Sequence, residues 1–132
     1  MRGNSIPLRG VLAADAAVSV VAGVMLAAAA GPLAGMLALP VGLMREAGLI
    51  LLPWGLFVAW VARRNPPGRQ LVRAVVVVNL LWAVDSVLLL ASGWVAPNGL
   101  GVGFVLVQAA ASAGLAVLQA LALPPGPRLQ RA

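Results

Sequence analysis

Residues 71–91 read LVRAVVVVNLLWAVDSVLLLA, an apolar stretch interrupted only by Arg73, Asn79, Asp85 and Ser86. About 20 helical residues are needed to cross the roughly 30 Å hydrocarbon core of a bilayer. The sequence therefore predicts a membrane-spanning helix over residues 71–91.

Three further stretches of similar length and polarity occupy residues 8–30, 43–62 and 100–123. A basic loop covers residues 63–70 and a basic tail covers residues 124–132. Residues 33–39 are apolar but too short to span, so we expect them to lie along the membrane interface. The sequence predicts a single transmembrane domain over residues 1–132, an all-α integral membrane four-helix bundle. Its topology is up-down-up-down, with both termini on the same side.

The composition excludes several functional classes. Of the 132 residues, 62% are hydrophobic and 9% are charged, whereas soluble domains have roughly a quarter charged residues. The chain has no Cys, no His and no Tyr, and all nine of its basic residues are Arg. Disulfides, thiolate or imidazole metal sites and thiol redox chemistry are therefore excluded. We expect no cofactor, no metal site and no enzymatic activity.

The N-terminal apolar stretch has a second interpretation, because Arg2 and Arg9 followed by an apolar run also resemble a signal peptide. The apolar region of a signal peptide is typically 7–15 residues long. Residues 8–30 are longer and contain Asp15, so we expect this segment to be retained as the first span.

The positions of the arginines predict the orientation. Four spans place residues 1–9, 63–73 and 124–132 on one side of the membrane, and this side has every arginine except Arg45. The positive-inside rule then places both termini in the cytoplasm of a bacterial inner membrane. We expect anionic lipid headgroups to bind Arg63, Arg64, Arg69 and Arg73. The high pI therefore does not indicate nucleic acid as a partner.

Polar residues inside the predicted spans are the candidate site. They usually face the bundle interior, because exposing them to lipid is unfavourable. At 100° per residue, each of spans one, three and four has a single polar stripe. Counting 1.5 Å per residue places Gln119 at a depth similar to that of Asp15. The predicted intramembrane polar cluster contains Asp15, Asn79, Trp82, Asp85, Ser86, Gln108 and Ser112.

Of the three acids, Asp85 is the one for which we most expect a functional role, because intramembrane acids are commonly functional. Arg45 begins near the same boundary and extends inward, so an ion pair between Arg45 and Asp85 is predicted, with Glu46 competing for the same arginine. The alternative is that these groups only stabilise the bundle, with Asn79 and Gln108 joining helices by hydrogen bonds. Small residues, among them Gly99, Gly101, Gly103 and Gly114, are expected to pack helices within the chain or between copies.

Three segments resemble small, uncharacterised four-span bacterial inner-membrane proteins: Gly48–Trp54, Asn79–Ser86 and Gly103–Ala109. This resemblance implies the same membrane topology and no particular activity. Three functional hypotheses follow from the sequence. The first is a non-enzymatic accessory or interaction subunit, with a membrane protein or a second copy as partner. The second is a small oligomeric transporter or channel using Asp85 or Asp15. The third is a binder of lipid or another hydrophobic ligand, which requires a cavity near Trp82.

Overall fold

The computed structural model describes residues 7–64 and 67–123, and every described element is an α-helix. The helices are α1 (Leu8–Ala28), α2 (Ala30–Leu37), α3 (Val41–Arg63), α4 (Arg69–Ser92) and α5 (Gly99–Ala122). Four of them, α1, α3, α4 and α5, are long and apolar enough to cross a membrane. At 1.5 Å per residue they are about 31 to 36 Å long. The all-α bundle with four spanning helices is therefore confirmed, and the chain is a multi-pass membrane protein.

The four long helices follow one another around the bundle. Helix α1 packs most extensively against α3, and α4 packs against α5, whereas contacts from α1 to α5 and from α3 to α4 are few. The Arg9 Nε donates to the carbonyl of Ala62 at 3.0 Å, so the start of α1 lies beside the end of α3. We call this end of the bundle, which also has the α3–α4 connection, the terminus side. The predicted basic tail lies outside the described residues.

The opposite end of the bundle, which we call the α2 side, contains the short helix. The first span ends at Ala28 rather than at residue 30, and eight residues then form α2. Ala38 ends α2 in a left-handed conformation with φ of 56°. The Asn98 side chain caps α5 by accepting from the Gly101 amide at 2.8 Å, and it donates to the carbonyl of Met36 at 2.8 Å. These bonds attach α2 to the start of α5.

The contact between α1 and α3 depends on glycines that the sequence analysis did not single out. A Cβ atom at Gly48 would lie 2.5 Å from the Ala27 nitrogen and 2.7 Å from the Gly23 carbonyl oxygen. At Gly55 it would lie 2.6 Å from Cγ2 of Val20. Small residues allow helix backbones to approach in this way. By contrast, Gly99, Gly103 and Gly114 have no neighbouring atoms at the Cβ position, so they do not pack helices within the chain.

Two apolar clusters close the bundle at its ends. The cluster at the terminus side joins α1, α3 and α4, and consists of Leu12, Ala16, Val58, Val61, Ala62, Val72 and Val75. The cluster at the α2 side consists of Leu26, Ala30, Leu37, Leu39, Met44 and Val105. Along α1, the buried Asp15 lies between Leu12 and Ala16 of the terminus-side cluster.

Candidate functional site

The most buried polar group is a carboxyl group held by side chains from three helices. Asp15 of α1 is 2% exposed. Its Oδ2 accepts from Nδ2 of Asn79 on α4 at 2.8 Å and from Nε2 of Gln119 on α5 at 2.7 Å. Its Oδ1 accepts from the Ser19 hydroxyl, one turn further along α1, at 3.3 Å. The carboxyl group thus joins α1, α4 and α5 through neutral donors.

The side chains that donate to Asp15 are held in place by further hydrogen bonds. The Asn79 Nδ2 also donates to Oε1 of Gln119 at 3.3 Å, and the Ser112 hydroxyl donates to the Asn79 carbonyl at 2.8 Å. We call Asp15, Ser19, Asn79, Ser112 and Gln119 the aspartate cluster. Among the described residues, no buried side-chain nitrogen or oxygen lacks a hydrogen-bond partner. The cluster therefore satisfies its own polar groups, as a stable intramembrane network must.

A second polar group lies about one helical turn closer to the α2 side. The Trp82 indole nitrogen donates to Oε1 of Gln108 at 2.6 Å. The Gln108 Nε2 donates to the Ser86 hydroxyl at 2.8 Å and to the Val105 carbonyl at 2.9 Å. The Ser86 hydroxyl donates to the Trp82 carbonyl at 2.7 Å. We call Trp82, Ser86 and Gln108 the tryptophan cluster. It joins α4 to α5 and orients the indole ring.

The predicted ion pair does not form. Within the described part of the chain, Asp85, Arg45 and Glu46 make no ion pair and no side-chain hydrogen bond, and all three are exposed. The reason is the separation of their helices: Arg45 and Glu46 lie on α3, Asp85 lies on α4, and these helices have few contacts with each other. The predicted polar cluster is thus divided into two hydrogen-bonded groups and Asp85, which has no partner among the described residues.

A cavity of about 470 Å³ lies inside the bundle and is lined by residues of all four long helices. Its polar wall includes Asp15, Asn79 and Ser112 of the aspartate cluster, the whole tryptophan cluster and Asp85. The residues that α3 contributes to the lining are all apolar or aromatic: Leu43, Met44, Ala47, Ile50, Leu51 and Trp54. Ile50 and Asp85 line the cavity and are also exposed. The cavity therefore reaches the outside of the bundle through the gap between α3 and α4.

At the start of the basic loop, Arg64 contacts an aromatic ring of α3. The Arg64 guanidinium carbon lies 5.0 Å from the centre of the Trp60 ring, and Trp60 continues a tilted aromatic row through Phe57 to Trp54. Arg63 and Arg73 are exposed, whereas Arg69 is half-buried. A cation–π contact at the end of a span is compatible with a headgroup-level position for Arg64.

Sequence reasoning placed Gln119 at the depth of Asp15, and the 2.7 Å bond between them confirms that level. It left both Gln119 and Ser19 out of the site, although Ser19 is one turn from Asp15 and Gln119 shares a stripe with Ser112 and Gln108. Treating side chains of equal depth on different helices as partners would have found Gln119, and treating residues one turn apart on one helix as partners would have found Ser19. In the described residues, no group of three or more acids could hold a metal ion.

The chain matches no protein-family model, no curated protein and no solved structure.

Proposed function

We propose that this protein is a non-enzymatic binding protein of the bacterial inner membrane, which takes a lipid-like or other hydrophobic molecule into the cavity inside the bundle. The observation that carries this proposal is the cavity itself. Its volume of about 470 Å³ lies within the range of ordinary small-molecule sites, roughly 300–1,000 Å³. A cavity near Trp82 is the feature that the ligand-binding hypothesis required.

The walls of the cavity support an amphiphilic occupant. The α3 side chains of the lining are apolar, whereas the polar lining comes from the tryptophan cluster, Asp85 and every member of the aspartate cluster except Gln119. Ligand sites typically combine a mainly apolar lining with a few placed polar groups. From Val78 to Leu89 of α4 the lining extends over about 16 Å along the helix axis. A molecule with an elongated apolar part and one polar group matches this arrangement.

The gap between α3 and α4 supports entry from the bilayer. Exposed lining residues such as Ile50 would face lipid in a membrane, so a hydrophobic molecule reaches the cavity without crossing water. Helices α1 and α3 pack extensively against each other, and so do α4 and α5, so each of these pairs forms a well-packed side of the cavity.

The orientation and the headgroup contacts belong to the same proposal. We place both termini in the cytoplasm, because every arginine that the structure describes, except Arg45, lies on the terminus side. Anionic headgroups at Arg63, Arg64, Arg69 and Arg73 then stabilise that orientation. The accessory-subunit hypothesis and the transporter hypothesis from the sequence stay predictions.

The test is native mass spectrometry of the full-length protein released from lipid nanodiscs. We expect a bound small molecule or lipid that survives mild activation. In Ala111→Trp, which introduces a large side chain into the cavity wall, the bound species should be lost. Ala110→Trp is the matched control, since the neighbouring Ala110 is exposed and does not line the cavity.

Equal retention of the bound species in both tryptophan variants would contradict the cavity as its site. An empty protein that instead co-purifies with a second membrane protein would favour the accessory-subunit hypothesis.

A further inference from the structure

Asp85 is the polar group of the cavity that the two hydrogen-bonded clusters do not use. It lines the cavity, and among the described residues it has no hydrogen-bond or ion-pair partner. The Asp15 carboxyl group, by contrast, already accepts three hydrogen bonds from neutral donors. An ionisable side chain inside a membrane normally pairs with another group. Asp85 is therefore the position where a ligand can supply the missing partner.

The charged residues of the cavity lining indicate whether that partner is a cation or an anion. The lining residues include both Asp15 and Asp85 and no arginine. Arg45 lies on α3 but does not line the cavity. Among the described residues of the lining, an anionic amphiphile would meet two carboxyl groups and no compensating cation, whereas a cationic head would meet a carboxyl group that has no partner there.

The aromatic residues near Asp85 favour an organic cation over a metal ion. Trp82 lies three residues before Asp85 on α4, so the two side chains are neighbours on the helix surface. The bond to Gln108 orients the Trp82 ring, and aromatic faces attract ammonium groups. A metal ion such as Ca²⁺ takes six to eight oxygen ligands, whereas no group of three or more acids forms a possible metal site among the described residues.

We infer that the cavity binds a hydrophobic organic cation, with its ammonium group beside Asp85 and Trp82 and its apolar part against α3. This inference rests on the proposed function, because it names the charge of the ligand that the cavity takes. It also explains why a membrane-embedded aspartate has no partner within the described chain.

The experiment compares three probes that share a chain and differ in charge: ω-bromoundecyl trimethylammonium, ω-bromoundecanol and ω-bromoundecanoate. The full-length protein is placed in nanodiscs of phosphatidylcholine, which has no net charge. Bromine quenches tryptophan fluorescence on contact. Trp60→Phe and Trp94→Phe are introduced throughout, because these exposed tryptophans do not line the cavity and would report free probe in the bilayer.

We expect saturable quenching by the ammonium probe at a concentration at least about tenfold lower than by the alcohol. The carboxylate probe should be the weakest of the three. Asp85→Asn should remove the preference for the ammonium probe and keep the response to the alcohol. Glu46→Gln is the matched control: Glu46 is an acid of the α2 side outside the cavity, and its removal should change nothing.

Equal affinity for all three probes would overturn the inference and leave the binding cavity in place. Absence of saturable quenching by any probe would overturn the proposed function as well. The alcohol response also checks the folding of Asp85→Asn. If that variant loses this response, Asp85→Glu, which keeps the charge, must retain the ammonium preference. Failure of Asp85→Glu to do so, in a protein that still binds the alcohol, contradicts the role of the Asp85 charge.

Discussion

Two aspartates of this bundle stand in opposite environments. Asp15 is 2% exposed and accepts from Ser19, Asn79 and Gln119. Asp85 lies on the cavity wall, is exposed and has no partner in the described ranges. An acid whose oxygens are all used by neighbouring helices contributes to folding. An acid without partners beside an open cavity is available to a ligand. The environment, rather than the residue type, separates the two roles.

The largest effect is expected from Asp15→Leu. This change leaves the Asn79 and Gln119 amides and the Ser19 hydroxyl without their shared acceptor in an apolar interior. Unpaired buried polar groups typically cost about 1–3 kcal/mol each, and intramembrane hydrogen bonds fall at the low end of that range. We expect the free energy of unfolding in mixed micelles to decrease by about 2–4 kcal/mol. If Asp15→Leu decreased this free energy by less than Asp85→Leu, the assignment of Asp15 to folding would be contradicted.

A smaller effect is expected from Gln119→Leu, which is compared with Gln108→Leu. Gln119 is fully buried and bonds both Asp15 and Asn79. Gln108 is half-buried in the tryptophan cluster beside the cavity. We expect Gln119→Leu to decrease the free energy of unfolding by about 1–2 kcal/mol and Gln108→Leu by about half as much. The same unfolding titration measures both decreases. A larger decrease for Gln108→Leu than for Gln119→Leu would show that the tryptophan cluster contributes more to stability than the aspartate cluster.

The smallest effect is expected from the pair that the sequence predicted. Because Arg45 and Asp85 do not contact each other, Arg45→Gln and Asp85→Asn should act independently. Distant sites usually add within about 0.5 kcal/mol. A double-mutant cycle of unfolding free energies should therefore show no coupling beyond that limit. Coupling above about 1 kcal/mol would restore the ion pair and leave Asp85 with an internal partner.

The spanning helices could be predicted from the sequence because continuous apolar runs fix their limits. All eight predicted ends lie within two residues of the observed ends of α1, α3, α4 and α5. The short α2 was expected only as an interfacial segment, since its helical form depends on contacts with neighbouring helices. Depth was equally predictable, because a helix rises by a constant amount per residue. This is why Gln119 and Asp15 were placed at the same level.

The division of the polar residues could not be predicted in the same way. Helical geometry places Asn79, Trp82, Asp85 and Ser86 on one broad face of α4. Which part of that face meets a neighbouring helix depends on packing between elements. Gly23, Gly48 and Gly55 bring α1 close to α3, while α3 and α4 have few contacts. That gap exposes Asp85 to the cavity and leaves Arg45 outside it, and no local pattern in either helix encodes this.

The most direct test of the different roles is the melting temperature of Asp85→Asn in phosphatidylcholine nanodiscs, with and without ω-bromoundecyl trimethylammonium. A ligand that binds only the folded state raises the melting temperature. We expect the variant to melt with the native protein when the probe is absent, and to lose the increase that the probe gives the native protein. A variant that melts well below the native protein without the probe, yet keeps the full increase with it, would show that Asp85 holds the fold and does not bind the ligand.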